Sequence, residues 1–151
     1  MARSIMLPAM VDDCLICVKH QHDGADILWR DELVVVSHLP PGDDGTALLG
    51  YLFVETRRHA ATLADLTEPE AEAVGRMGRR AARALRAEID TEYVLSAIVG
   101  RRVPHFHQHF FVRHPGTPED VAWFDEWPDA PRGDAAAIAE LCARLLPHLA
   151  Q

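Results

Sequence analysis

His105-Phe106-His107-Gln108-His109-Phe110-Phe111 sets three imidazoles at alternate positions among aromatic neighbours. In an extended chain successive side chains point to opposite faces, so His105, His107 and His109 share one face while Phe106, Gln108 and Phe110 take the other. Alternate strand residues lie roughly 6.5 Å apart, which makes the three rings a row of about 13 Å. Helical spacing would splay them around the axis, and the flanking aromatic and β-branched residues favour a strand. Such a row can ligate a metal, hold a nucleophile and proton carriers around a phosphate, or sit on a solvated surface. Three imidazoles in register beside apolar partners are costly composition to find by chance. A row that only binds metal is limited by geometry: adjacent rings can share one ion, but at His–Zn bonds of about 2.0–2.1 Å all three hardly can.

The neighbouring segments supply a sheet for this strand, which spans about residues 105–112. Residues 93–98 read as a strand joined to it by Gly100-Arg101-Arg102-Val103-Pro104, and Tyr51-Leu52-Phe53-Val54-Glu55 as a central strand. Ile27-Leu28-Trp29-Arg30 and Leu33-Val34-Val35-Val36 have hairpin composition, although Asp31-Glu32 lacks the favoured turn residues. Leu39-Pro40-Pro41-Gly42-Asp43-Asp44-Gly45 is a loop. Thr67-Glu68-Pro69-Glu70 is a capping box opening a long helix, with Val74, Met77, Ala81 and Leu85 as its apolar stripe. Arg76, Arg79, Arg80, Arg83 and Arg86 read as its solvated face. A last helix from about Ala135, capped by Asp134, turns Ile138, Leu141, Cys142 and Leu145 inward. The order predicts an α+β fold: an antiparallel sheet with a long central helix and a C-terminal helix packed on it.

A chain of 151 residues suits one domain. Residues 1–13 read as an irregular arm, about 14–113 as the core, and 114–151 as a C-terminal extension with a helix. The net charge of −8 disfavours nucleic acid and anionic membranes as partners, without forbidding a small phosphorylated ligand. No apolar run approaches the length that crosses a bilayer, and the first residues carry no secretory signal, so a cytoplasmic protein is expected. Three cysteines, an odd count, argue against a disulfide framework; Cys14 and Cys17 read as thiols or metal ligands. His20, His22 and His148 read as surface groups, and His114 as a strand-end residue that could reach a phosphate at the site but is not counted in it. Trp123, Phe124 and Trp127 mark an aromatic tail, in which Trp123 and Trp127 suit packing or a dimer contact.

His105-x-His107-x-His109 followed by Phe110-Phe111 resembles the motif of the histidine triad superfamily of nucleotide hydrolases and transferases. Gly50-Tyr51-Leu52-Phe53-Val54-Glu55-Thr56-Arg57-Arg58-His59 is similar to that family's strand ending in a histidine. The Cys14-Leu15-Ile16-Cys17 opening is similar to that of many bacterial members. The resemblance runs in order from about Cys14 to Arg113.

The resemblance implies His107 as the nucleophile that attacks an α-phosphorus and forms a nucleotidyl-histidine, cleaved afterwards by water. It implies His109 as a donor to a phosphoryl oxygen, with no Mg²⁺ needed. A dinucleoside polyphosphate or nucleoside phosphoramidate would be the substrate. Nucleotidyl transfer through the same intermediate, or a zinc-stabilised nucleotide-binding protein with little catalysis, stays open. A homodimer is implied as well. Cys14, Cys17, His59 and His105 match the zinc ligands of zinc-bearing relatives and suit a closed, structural Cys2His2 site; the alternative is buried thiols with two hydrogen-bonded imidazoles. Leu15, Ile16 and Leu39 match base-pocket positions. Two departures stand out. Gly100 is followed by Arg101 and Arg102 where relatives carry Gln and Ser or Thr, so bidentate phosphate binding and a solvent-facing pair are both open. His38 stands where an acidic residue often holds the ribose.

Overall fold

The computed structural model describes residues 13–91, 93–123 and 125–151; the expected N-terminal arm, except Asp13, and Phe124 lie outside them. Strands β1 (Ile27–Arg30) and β2 (Val34–His38) form the expected antiparallel hairpin. Its turn is closed by a side chain: Asp31 Oδ1 accepts from the backbone N–H groups of Leu33 at 2.8 Å and Val34 at 2.9 Å. An aspartate carboxylate thus does the work that the missing Gly or Asn would do.

A two-residue strand, β3 (Ala47–Leu48), precedes β4 (Leu52–Thr56), and β5 (Val94–Ile98) and β6 (His107–Val112) follow the long helix. The main sheet has the order β1-β2-β4-β6-β5, antiparallel throughout, with β4 at its centre. β3 pairs with the equally short β7 (Arg132–Gly133). That ribbon was not foreseen, because two residues leave no periodicity to see.

Register sorts the side chains. Val36, Val54, Leu52 and Phe110 fall on one face and join the core beneath helices α2 (Glu68–Glu88) and α3 (Ala135–Leu149). Val35, Ser37, Phe53, Glu55, His107 and His109 fall on the other. The first face builds the core, and the second gathers Glu55, His107 and His109.

Helix α2 begins as its capping box dictates: Thr67 Oγ1 accepts from Glu70 N–H at 3.4 Å and Glu70 Oε2 accepts from Thr67 N–H at 2.9 Å. Val74, Met77, Ala81 and Leu85 are buried as one stripe, while Arg76, Arg79, Arg83 and Arg86 are exposed. Gly78 lets this helix lie close to the sheet, since a Cβ there would sit 2.6 Å from Phe110 Cζ. Asp134 caps α3 by accepting from Ala137 N–H at 2.9 Å. Ile138, Leu141, Cys142, Leu145 and Leu149 of α3 enter the same core as α2, so the C-terminal helix is part of the central packing.

Candidate functional site

The loop from β5 into β6 decides where the histidines go. Gly100 takes a positive φ of 63°, and His105 N–H turns back to Val103 C=O at 2.8 Å around Pro104. That tight turn, with a proline that has no N–H to give a ladder, delays the strand to His107. The expected strand over 105–112 is therefore corrected at its start. His105 does not continue the row; it is fully buried and belongs to a different cluster.

His107 and His109 remain together on β6, their ring centroids 4.9 Å apart, and Phe53 of β4 sits edge-on to both at 6.0 and 5.1 Å. An open cleft of about 730 Å³ lies over them, lined by Val99, Gly100, Arg101, Arg102, His107 and His109. Arg101 and Arg102 are exposed at its rim. Two imidazoles and two guanidinium groups thus meet at one open cleft. The Nδ1 of His107 lies 2.6 Å from the backbone oxygen of His105. A carbonyl oxygen only accepts, so Nδ1 carries a proton, and in the neutral form of the ring the lone pair lies on Nε2. Burial, with His107 alongside, pushes His109 down to about 4, so this ring is neutral.

The buried cluster holds the four sequence-marked ligands. Cys14, an N-cap residue, and Cys17 bracket the first turn of α1 (Leu15–Lys19). His105 Nδ1 lies 3.5 Å from Cys14 Sγ and 3.4 Å from Cys17 Sγ, and His59 Nδ1 lies 3.4 Å from Cys17 Sγ. All four ligand atoms fall within 4.8 Å of one another. Tetrahedral zinc with the usual bond lengths puts sulfur and nitrogen ligands about 3.5 Å apart, so the donor set fits the ion in type and in spacing. His105 Nε2 donates to Thr56 C=O at 2.6 Å, which leaves Nδ1 as the nitrogen that would ligate an ion and supplies the outer bond that orients the ring.

Between the two sites lies a charged group that sequence reasoning missed. Glu55 is fully buried, with Oε1 2.5 Å from Lys19 Nζ and Oε2 2.9 Å from His20 Nε2. Burial pushes its carboxyl up, but the His20 hydrogen bond and the Lys19 charge outweigh burial and hold it below its ordinary value. Lys19 also donates to Ser37 Oγ at 3.0 Å and lies 5.5 Å from the Phe53 ring centre. His20 is thereby corrected from surface group to buried partner, edge-on to His105 at 5.6 Å. One signal was available: a glutamate two residues from Phe53 in an otherwise apolar central strand needs a partner on that face.

Other expected site residues fall elsewhere. His38 is fully buried on the core face, where Nδ1 donates to Leu39 C=O at 2.7 Å and Nε2 accepts from Gly50 N–H at 3.1 Å. Both nitrogens are committed to backbone, which corrects its expected ribose contact. Leu15 is 72% exposed, Ile16 packs with Cys14 and Cys17, and Leu39 packs on the main core; none of the three lines the cleft. His114 is buried and donates to Leu49 C=O at 2.8 Å, away from the cleft. His22 is exposed, as expected.

No protein-family model and no curated protein matches the chain. Solved structures do. A zinc-bound histidine triad family protein of Mycobacterium smegmatis is 22% identical over 92% of this chain and 94% of that one, with a TM-score of 0.65. A histidine triad nucleotide-binding protein of Sulfolobus tokodaii, described as hypothetical, is 14% identical over 91% and 92%, with a TM-score of 0.67. A diadenosine triphosphate hydrolase of Plasmodium falciparum is 13% identical over 85% and 79%, with a TM-score of 0.62. The chain has the histidine triad fold.

Proposed function

We propose that this protein is a nucleotide hydrolase that acts at the α-phosphate of a dinucleoside polyphosphate or nucleoside phosphoramidate, with His107 as its nucleophile. The observation that carries the proposal is the short bond from His107 Nδ1 to the His105 carbonyl, which leaves the Nε2 lone pair available beside the cleft. Nε2 attacks phosphorus, the bond to the departing oxygen or nitrogen breaks, and that atom leaves with the electron pair and takes a proton from solvent in the open cleft. Water then bonds to the same phosphorus and returns a proton to solvent, the bond from phosphorus to Nε2 breaks, and imidazole recovers its lone pair. His109 stabilises charge on the phosphoryl oxygens, and Arg101 and Arg102 bind the phosphate chain. Likeness of fold to proteins described as nucleotide-binding and as a diadenosine triphosphate hydrolase supports the same reading.

Cys14, Cys17, His59 and His105 would hold zinc, which would pin α1 to the segment leading into β6. Four protein ligands leave no open position, so the ion is structural in this reading. Two thiolate ligands and a third unpaired cysteine suit a reducing cytoplasm. The edge strand β5 with exposed Tyr93, Ile98 and Val99 is the surface through which we expect two copies to pair.

Mass spectrometry of protein quenched during turnover tests the mechanism. A nucleotide adduct on the peptide containing His107, and loss of turnover in His107→Asn, are expected. Wild-type turnover by His107→Asn sinks the proposal. Trapping of the adduct by a phosphate acceptor in preference to water would make the protein a transferase.

A further inference from the structure

His109 is held from behind by a residue to which neither motif nor comparison gives a role. Tyr51 stands one residue before β4, and its hydroxyl oxygen lies 2.8 Å from His109 Nδ1. The Tyr51 ring stacks on Phe111 at 5.3 Å and 19° and packs against Phe53 at 5.4 Å, so its hydroxyl is aimed by a three-ring cluster. Among the described residues, His109 is the hydrogen-bond partner of that hydroxyl.

The direction of this bond follows from proton inventory. Burial pushes the Tyr51 phenol up to about 12, so it keeps its proton at neutral pH. His109 is neutral and carries one N–H and one lone pair. A protonated phenol set against an imidazole nitrogen satisfies both groups by donating.

We propose that Tyr51 is a positioning residue whose O–H donates to Nδ1 of His109 and so fixes His109 as the Nε2–H tautomer. The single proton of His109 then sits on the nitrogen that Tyr51 does not hold. That N–H is what His109 offers to a phosphoryl oxygen bound at His107, a role that rests on the hydrolase reading above. The ring donates a hydrogen bond as a neutral group, and no proton leaves it. His107 and His109 thus carry opposite tautomers, one set by a backbone carbonyl and the other by a phenol. The first ring presents a lone pair and the second a proton.

Tyr51→Phe tests the assignment, since phenylalanine keeps the ring stack and removes only the hydroxyl. Nitrogen-15 NMR of histidine-labelled, zinc-loaded full-length protein, with His109 assigned by signal loss in His109→Asn, reads the tautomer directly. In wild type the expected pattern is a protonated Nε2 and a hydrogen-bonded, unprotonated Nδ1. In Tyr51→Phe the Nδ1 signal moves to that of a nitrogen without its donor. Turnover should fall roughly tenfold in kcat with KM within about twofold, as for an interaction made in the transition state. A protonated Nδ1 in wild type, unchanged His109 nitrogen shifts in Tyr51→Phe, or a rise in KM at constant kcat would each overturn the assignment. If wild type turns over no nucleotide, the hydrolase reading falls, and the NMR pattern alone upholds or overturns the tautomer that Tyr51 is said to set.

Discussion

Glu55 lies directly opposite His107 in the β4–β6 ladder, and its carboxylate is taken up by Lys19 and His20 from α1. A buried charge beside His107 is tolerable only while its partners stay in place. Removing one partner of a buried pair costs about 3–5 kcal/mol, whereas replacing the pair by apolar groups is often neutral. Lys19 is 23% exposed, which moves its share toward the lower end. Lys19→Met should therefore lower the urea midpoint clearly, and Lys19→Met with Glu55→Met should recover most of the loss. A double variant no more stable than Lys19→Met alone would show that the pair is not the source of the cost.

The same helix carries the Cys17 thiol and has Cys14 as its N-cap, so the proposed metal site and the cleft face are coupled through α1. Purified protein should contain about one zinc per chain, as a four-ligand site requires. Cys17→Ala and His59→Ala should lose it, while His107→Ala keeps it in full. Chelation should also lower the melting temperature, because a metal held only by the folded chain stabilises by its binding free energy. Metal analysis by mass spectrometry decides the assignment, and equal zinc in Cys17→Ala and wild type would exclude this site.

How much of this was readable in the chain depends on how local each cause is. The capping box at Thr67 and Glu70, the α2 stripe and the Asp134 cap were legible, because each needs only neighbours within a turn. The clustering of Cys14, Cys17, His59 and His105 was legible through a resemblance in residue order. His105 was misplaced on the strand because alternation continues formally through Pro104, while the backbone turns there. His20 was misjudged because its partner Glu55 is distant in sequence and a five-residue helix shows no periodicity. His38 illustrates the opposite error: a position assigned by resemblance, whose two nitrogens the backbone consumes.

Glu70 gives the fold an acid dependence. The bidentate bonds from Arg58, with the Thr67 backbone, outweigh partial burial and hold its carboxyl below the ordinary value of 4.5. A folded value below the unfolded one means that the contribution is complete above about pH 4.5 and fades as pH falls through the lower folded value. Glu70→Gln should cost about 1 kcal/mol at pH 7, a typical capping loss. The gap between wild type and variant should shrink toward pH 3 in urea titrations. A gap that stays constant across that range would mean that charge plays no part in the cap.

Arg101 and Arg102 stand at the rim of the cleft on a loop shaped by the positive φ of Gly100. Because both are exposed, each contact with phosphate is screened by salt and is worth little alone. Acting together on a polyphosphate chain they should matter in proportion to its charge. Replacing both by alanine should raise KM for a dinucleoside polyphosphate roughly tenfold at low salt, with a smaller rise for a phosphoramidate carrying one phosphate. The difference should narrow at high ionic strength, and kcat should change little, because binding that is equal in ground and transition states affects KM alone. Steady-state kinetics with both substrates at two salt concentrations checks this. An equal, salt-independent KM change for the two substrates would make the pair a solvated loop with no part in choosing chain length.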